Sequence, residues 1–193
     1  MPETAEAKSL ETMMTEVDDY CRKMGWRENP VTFGEAMALL HSEVAEASDA
    51  WRRWGLTDAT VTFEPGSVGA VDAVLHPPKP EGVGSEFADI YIRWLDDAVL
   101  FNVDIAAGFP HGGLYLLHPS FLENMNGLHT LIARVSSLYL MDSGAFDWHI
   151  AFAGVLVYLR QCCETCGIDL QAEYERKMAY NRQRPYRHGG KRQ

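Results

Sequence analysis

Four carboxylates arranged in two pairs have the spacing of a metal site. Glu43 and Glu46 stand three residues apart, and Glu86 and Asp89 repeat that spacing further along the chain. Residues three or four positions apart share one face of a helix, so each pair is predicted to point in one direction. Four carboxylates brought together would repel one another unless cations neutralised them, and oxygen ligands suit a hard divalent ion. The pattern therefore predicts a Mg²⁺ site at these four residues.

The alternative is that the four acids are ordinary surface carboxylates on solvated helix faces. Leu39 precedes the first pair, and Phe87 and Ile90 flank the second. An unpaired carboxylate beside such side chains would be costly, so the apolar neighbours favour the metal site. A di-iron bundle also places acids inward, but its Glu-x-x-His motif occurs nowhere in the sequence.

A second group of polar residues lies near the end of the chain. Lys177, Asn181 and Arg184 follow one another at helical spacing, which predicts a single stripe of hydrogen-bond donors suited to phosphate oxygens and, for Asn181, to a sugar or base edge. The alternative is a solvated basic face, which is favoured near a helix C-terminus. Trp54 follows the first acid pair and is a candidate for stacking on a nucleobase, or else a core residue.

Composition limits the classes of protein to which the chain can belong. The 193 residues are 47% hydrophobic with a formal net charge of −10, which predicts a soluble globular unit that repels nucleic acid and binds small partners. The apolar run at 150–159 is too short to span a bilayer, and the N-terminus lacks an apolar leader, so we expect no membrane partner and a cytoplasmic location. The basic end from Arg187 could attract nucleic acid, but on an acidic protein it is expected to be disordered or folded back onto the acidic surface.

Helical periodicity and capping residues predict an all-α bundle of six or seven helices. The segments with these patterns are residues 6–24, 32–54, 82–103, 120–143, 147–166 and 169–183. Thr32 and Ser120 each precede a glutamate by three positions, which predicts two capping boxes. The cysteines are expected to be free thiols.

Two stretches lack helical periodicity. Residues 56–81 are predicted to form an irregular insertion with a small hairpin near 60–63, and residues 104–118 a crossover loop. We expect one domain over 1–193, with an acid-bearing half at about 1–107 and an acid-free half at about 108–193.

A weak internal repeat relates the two halves. Leu40-His-Ser42 aligns with Leu128-His-Thr130, and Val103-Asp-Ile105 aligns with Ile168-Asp-Leu170. On this alignment the four acids correspond, in chain order, to Leu131, Arg134, Ala151 and Gly154. Either the helix pairs are copies and the second is structural, or two amphipathic pairs align by chance.

The order Glu-x-x-Glu then Glu-x-x-Asp, together with the segments 79–89 and 177–190, resembles the MazG-like all-α nucleoside triphosphate pyrophosphohydrolases. That family includes the dimeric dUTPases and many phage nucleotide hydrolases, and the resemblance covers roughly residues 32–107 and 165–190. Many relatives carry a further glutamate where this chain has Ser42, and the loop between the acidic helices is longer than usual.

The resemblance implies hydrolysis of a nucleoside triphosphate to a monophosphate and pyrophosphate, with Mg²⁺, or Mn²⁺ as a substitute, held by the four acids. Glu43 and Glu46 would then be catalytic, with Glu46 orienting the attacking water. Lys177 and Asn181 match substrate-binding positions of the family. The rival hypothesis is a catalytically silent nucleotide-binding or regulatory protein, which Ser42 and the acid-free half favour.

Family members usually complete the substrate pocket with helices of a second subunit. Here the second half offers its own cover for the acidic helices, through Ile132, Val135, Val155 and Leu159. We nevertheless expect a homodimer, because the crossover region is too apolar for a free surface. The residues behind this expectation are Phe109, Leu114, Tyr115 and Phe121.

Overall fold

The chain is described by a computed structural model over residues 8–56, 79–105, 115–141 and 145–190. Its helices are α1 Leu10–Lys23, α2 Phe33–Trp54, α3 Val83–Leu100, α4 Phe121–Leu140, α5 Ala145–Cys166, α6 Leu170–Asn181 and the short α7 Arg187–Gly190. No strand occurs in these ranges, so the all-α prediction is confirmed. The predicted hairpin at 60–63, most of the crossover loop and the helix stop at Gly144 lie outside the described residues.

One of the two predicted capping boxes forms. At the start of α2, Thr32 Oγ1 accepts from the Glu35 amide at 3.3 Å and Glu35 Oε2 accepts from the Thr32 amide at 2.8 Å. The box predicted at Ser120 is wrong, since that side chain makes no capping hydrogen bond. The Ser120 amide donates instead to His118 Nδ1 at 3.0 Å, which removes the donor that a capping glutamate would need.

Helix α3 lies at the centre of the bundle. It packs against α1, α2, α5 and α6, while α4 packs against both α2 and α5. The four residues proposed as a cover for the acidic helices are buried in the same hydrophobic cluster, with exposed fractions of 0% for Ile132 and Val135 and 1% for Val155 and Leu159. The second helix pair therefore covers the first within one chain.

Two ring contacts between α2 and α4 mirror each other. Trp51 on α2 stacks on Phe121 at a centroid distance of 5.5 Å, and Tyr139 on α4 stacks on Phe33 at 3.7 Å. In the internal repeat, Tyr139 corresponds to Trp51 and Phe121 corresponds to Phe33. Exchanging the two halves of the chain therefore converts one ring contact into the other. Reciprocal contacts of this kind are what a two-fold axis produces.

His41 and His129 mark the position of that axis. They are repeat equivalents, 88 positions apart, and they meet each other with Nδ1 atoms 2.8 Å apart and ring centroids 5.0 Å apart. Burial lowers the pKa of both imidazoles, which favours the neutral form that at least one ring needs in order to accept this hydrogen bond. The aligned segments of α2 and α4 thus occupy equivalent places.

Helices α3 and α5 also end in the same way. The amide of Val103 donates to the carbonyl five residues earlier at 2.8 Å, and the amide of Ile168 does so at 2.9 Å. The residue before each has a positive φ, 53° at Asn102 and 68° at Gly167. These matching left-handed ends extend the equivalence to the second helix of each pair.

The four cysteines form no disulfide. Cys21, Cys162, Cys163 and Cys166 are free, which confirms that prediction.

Of the four apolar residues behind the dimer expectation, Phe121 is 7% exposed and Tyr115 packs against Tyr158 at 5.2 Å, while Phe109 and Leu114 fall outside the described ranges. The homodimer therefore stays a prediction. None of the described helices is long and apolar enough to cross a membrane.

Candidate metal centre

Three carboxylates converge where α2 packs against α3. Glu43 lies on α2, Glu86 and Asp89 lie one turn apart on α3, and one oxygen from each falls within 4.8 Å of the others. Glu43 is 8% exposed and Glu86 is 4% exposed. The spacing that sequence singled out thus places acids from both helices at one buried point.

The fourth predicted ligand stands apart from this cluster. Glu46 is exposed and lines the same cavity as Glu43 and Asp89, but its carboxylate is not among the converging oxygens. The structure therefore brings together three of the four predicted ligands and places Glu46 on the adjoining cavity wall.

The cavity beside the cluster has a volume of about 290 Å³ and also receives the predicted donors. Lys177 and Asn181 from α6, Arg184 just after it and Lys79 just before α3 all contribute to its wall. Trp54 lies at the end of α2 and is not among the described lining residues. The acids and the donor stripe thus face one shared volume.

Lys177 is an internal partner of the acid cluster rather than a solvated side chain. It is 2% exposed, its Nζ lies 2.6 Å from Asp89 Oδ2, and it donates to Ser85 Oγ at 2.8 Å. Asn181 is 6% exposed, and its Oδ1 is buried without a hydrogen-bond partner among the described residues. Neither side chain fits the alternative of a solvated basic face.

Arg93 is a residue of this cavity wall that the sequence reasoning missed. It pairs with Glu43 across the two helices, and its side chain is 37% exposed. A local signal existed, because Arg93 follows Asp89 by four positions and must share its helix face. Two of the three clustered carboxylates therefore have a cation of the protein beside them, Glu43 with Arg93 and Asp89 with Lys177.

Glu86 is the carboxylate that these cations satisfy least. Burial raises its pKa to about 7, Lys177 opposes that rise and the nearby Asp89 carboxylate adds to it. Its Oε2 is buried without a hydrogen-bond partner in the described part of the chain. Burial also raises the pKa of Asp89, with Lys177 again opposing. A partly protonated, unsatisfied acid is what a site prepared for an external cation would show.

The cluster fits a small hard cation. Two oxygens bound to one Mg²⁺ lie at most about 4.2 Å apart. The three oxygens here lie within 4.8 Å of one another, so each would need to move by less than about 1 Å to share an ion. Carboxylate oxygens are the preferred ligands of such ions, and the unpartnered Oε2 of Glu86 offers a free lone pair. Glu43, Glu86 and Asp89 would hold the ion.

In the metal-free protein, Glu86→Gln should raise stability at pH 8. The folded pKa of Glu86 lies near 7, above its ordinary value of 4.5, so its contribution to stability is lost as pH rises through 7. The loss amounts to at most roughly 3 kcal/mol, and a neutral amide of the same shape avoids it. Chemical denaturation with a chelator should show the gain at pH 8 and almost none at pH 4, below the ordinary pKa of the group. An equal gain at both values would contradict the assigned charge effect.

The acid-free half fills the equivalent volume with tyrosines. Gly154 takes the place of Asp89, and the Tyr115 hydroxyl lies 2.5 Å from where a Cβ on that glycine would be. Gly127 takes the place of Leu39, and the Tyr158 hydroxyl lies 2.2 Å from its absent Cβ. A Cβ at either glycine would therefore force a tyrosine ring to shift, and the second half retains no acidic cavity at these positions.

Comparison of the chain with protein-family models, with curated proteins and with solved structures finds no match. The resemblance to the MazG-like enzymes accordingly stands on the motifs of the sequence alone.

Proposed function

We propose that this chain is a Mg²⁺-dependent nucleoside triphosphate pyrophosphohydrolase of the MazG-like type, built on a duplicated helix pair. The observation that carries the proposal is the cluster of Glu43, Glu86 and Asp89, whose oxygens converge within 4.8 Å beside a cavity that basic side chains also line. Acids for a cation and cations for phosphates in one volume are the two requirements of metal-assisted phosphoryl chemistry.

The residues divide the chemistry among them. A bound Mg²⁺ would neutralise charge that develops on the phosphate oxygens. Lys79 and Arg184 line the cavity and supply positive charge for the phosphates, while Lys177 holds Asp89 in place. Glu46, on the same wall, accepts the proton of the attacking water. The water oxygen bonds to the α-phosphorus, the bond from that phosphorus to the bridging oxygen breaks, and pyrophosphate leaves.

The proposed activity is tested by measuring pyrophosphate release from a panel of nucleoside and deoxynucleoside triphosphates in the presence of Mg²⁺. We expect at least one substrate to give equal amounts of monophosphate and pyrophosphate, and no product with a chelator. Release of inorganic phosphate instead would indicate attack at the γ-phosphorus, and no product from any substrate would refute the enzyme.

The second candidate is a nucleotide-binding protein without turnover. The pairing of Glu43 with Arg93 and of Asp89 with Lys177 favours it, because these ion pairs already neutralise two of the three clustered acids. Calorimetric binding of a non-hydrolysable α,β-imido triphosphate, without pyrophosphate release from the matching natural nucleotide, would select this candidate. Sedimentation at the same protein concentrations would test the expected homodimer.

A further inference from the structure

The C-terminal segment 185–190, here called the clasp, is fastened to the loop between α1 and α2. Arg187 Nη2 donates to the Gly25 carbonyl at 3.1 Å and to Glu28 Oε2 at 2.7 Å. The Tyr186 hydroxyl donates to the other oxygen of Glu28. The basic tail is thus folded back onto an acidic side chain at these residues, one of the two outcomes expected from the sequence.

Gly25 allows this contact for two reasons. Its φ of 77° is one that side chains disfavour, and a Cβ there would lie 2.1 Å from the Tyr186 hydroxyl oxygen and 2.4 Å from Cζ. Gly167 has a φ of 68°, yet no described atom lies within 4 Å of its absent Cβ. The two glycines share the backbone requirement, and only Gly25 has the clasp against it.

The clasp also supplies part of the cavity wall. His188 Nε2 lies 2.7 Å from the Tyr20 hydroxyl, and its ring meets Trp26 edge to face at a centroid distance of 5.3 Å. Tyr20, Trp26 and His188 all line the cavity that Glu43 and Asp89 line. One part of the wall is therefore aromatic, whereas the acids and lysines make another part charged.

The backbone of the clasp is held in an unusual conformation. Arg187 and His188 have φ values of 47° and 50°, in the left-handed region that residues with side chains rarely occupy. Such conformations persist where surrounding contacts hold them, and they are concentrated at ligand sites and moving segments. The contacts to Gly25, Glu28, Tyr20 and Trp26 help to hold the clasp in this conformation.

We propose that the clasp is a specificity element that binds the planar organic part of the ligand, while the acid cluster and the basic side chains bind its phosphates. The inference rests on the proposed function, because it takes the ligand to be a nucleotide. Aromatic ring faces suit a flat base, through stacking or edge contacts, and a bare polyphosphate has no planar group to pack against them. Loosening the clasp should then weaken nucleotide binding and leave polyphosphate binding unchanged.

The experiment compares Gly25→Ala with Gly167→Ala in the full chain. Two probes are titrated with Mg²⁺ present, an α,β-imido deoxynucleoside triphosphate and inorganic triphosphate, and hydrogen exchange is followed in peptides covering 185–190. For Gly25→Ala we expect faster exchange in the clasp, nucleotide affinity lower by about tenfold and triphosphate affinity within about twofold of wild type. Gly167→Ala should match wild type in all three measurements.

The outcomes separate this inference from the proposed function. Equal losses for both probes, unchanged exchange in the clasp, or equal wild-type affinity for both probes would overturn the role of the clasp while leaving the phosphate site standing. Binding of neither probe to wild type would refute both. If Gly25→Ala does not fold, His188→Ala replaces it, with the same selective loss of nucleotide affinity expected.

Discussion

Replacing Glu43 and Glu86 together with alanine will abolish binding of Mg²⁺ and Mn²⁺ in calorimetry and lower pyrophosphate release by about a thousandfold or more. The double change removes one ligand from each helix and leaves Asp89, already paired with Lys177 at 2.6 Å, as the last acid of the cluster. Loss of a metal that stabilises the transition state by several kcal/mol corresponds to at least about three factors of ten in rate.

The matched control for this prediction is Asp49→Ala on the same helix. Asp49 pairs with Arg53 at 2.7 Å, its side chain is 49% exposed, and it does not line the cavity among the described residues. Removing it should leave metal affinity and turnover within about twofold, as expected for a surface ion pair. Metal binding that survives in the double variant would show that the ion binds elsewhere.

Lys177→Ala should destabilise the protein, by about 3 kcal/mol. The sequence alone predicted a donor to phosphate oxygens at this position, and the burial of this lysine adds a role in stability. Its ammonium is the cation beside Asp89 and a donor to Ser85, and removing one member of a buried pair typically costs about 3 to 5 kcal/mol. The lower value applies because the Asp89 side chain is 23% exposed. Denaturant unfolding measures the change.

Two further variants isolate the cause. Lys79→Ala removes another cavity lysine, but its side chain is 49% exposed and pairs with Glu81, so stability should change by less than about 1 kcal/mol. Combining Lys177→Ala with Asp89→Asn removes the uncompensated charge and should recover part of the loss. A double variant as unstable as the sum of its parts would mean that the ion pair is not the source of the effect.

The sequence predicted the parts of this molecule that depend on local pattern. Helical periodicity located α2 and α3, and three-residue spacing within apolar helices identified Glu43, Glu86 and Asp89, because both signals are carried by neighbouring residues. Lys177 and Asn181 were also found from spacing, although their burial was not.

The parts that escaped prediction depend on residues far apart in the chain. His188 meets Tyr20 across 168 positions, and Lys177 meets Ser85 across 92. Neither pair has a local signature, since the two partners lie in distant segments of the chain. The missing capping box at Ser120 had a different cause, because a nearby histidine competed for the same amide. Local rules therefore placed the acids, and tertiary packing decided which groups surround them.

The tyrosines that occupy the acid-free half have a consequence for the number of ion sites. Tyr115 and Tyr158 fill space with packed rings where the other half keeps charges that burial disfavours. Among the described residues only the first half therefore holds a carboxylate cluster, so the proposed ion would have one site of this kind per chain and no twin site to communicate with. Substitutions at Gly127 or Gly154 should alter the melting temperature, whereas substitutions at the acids should alter the number of ions bound per chain.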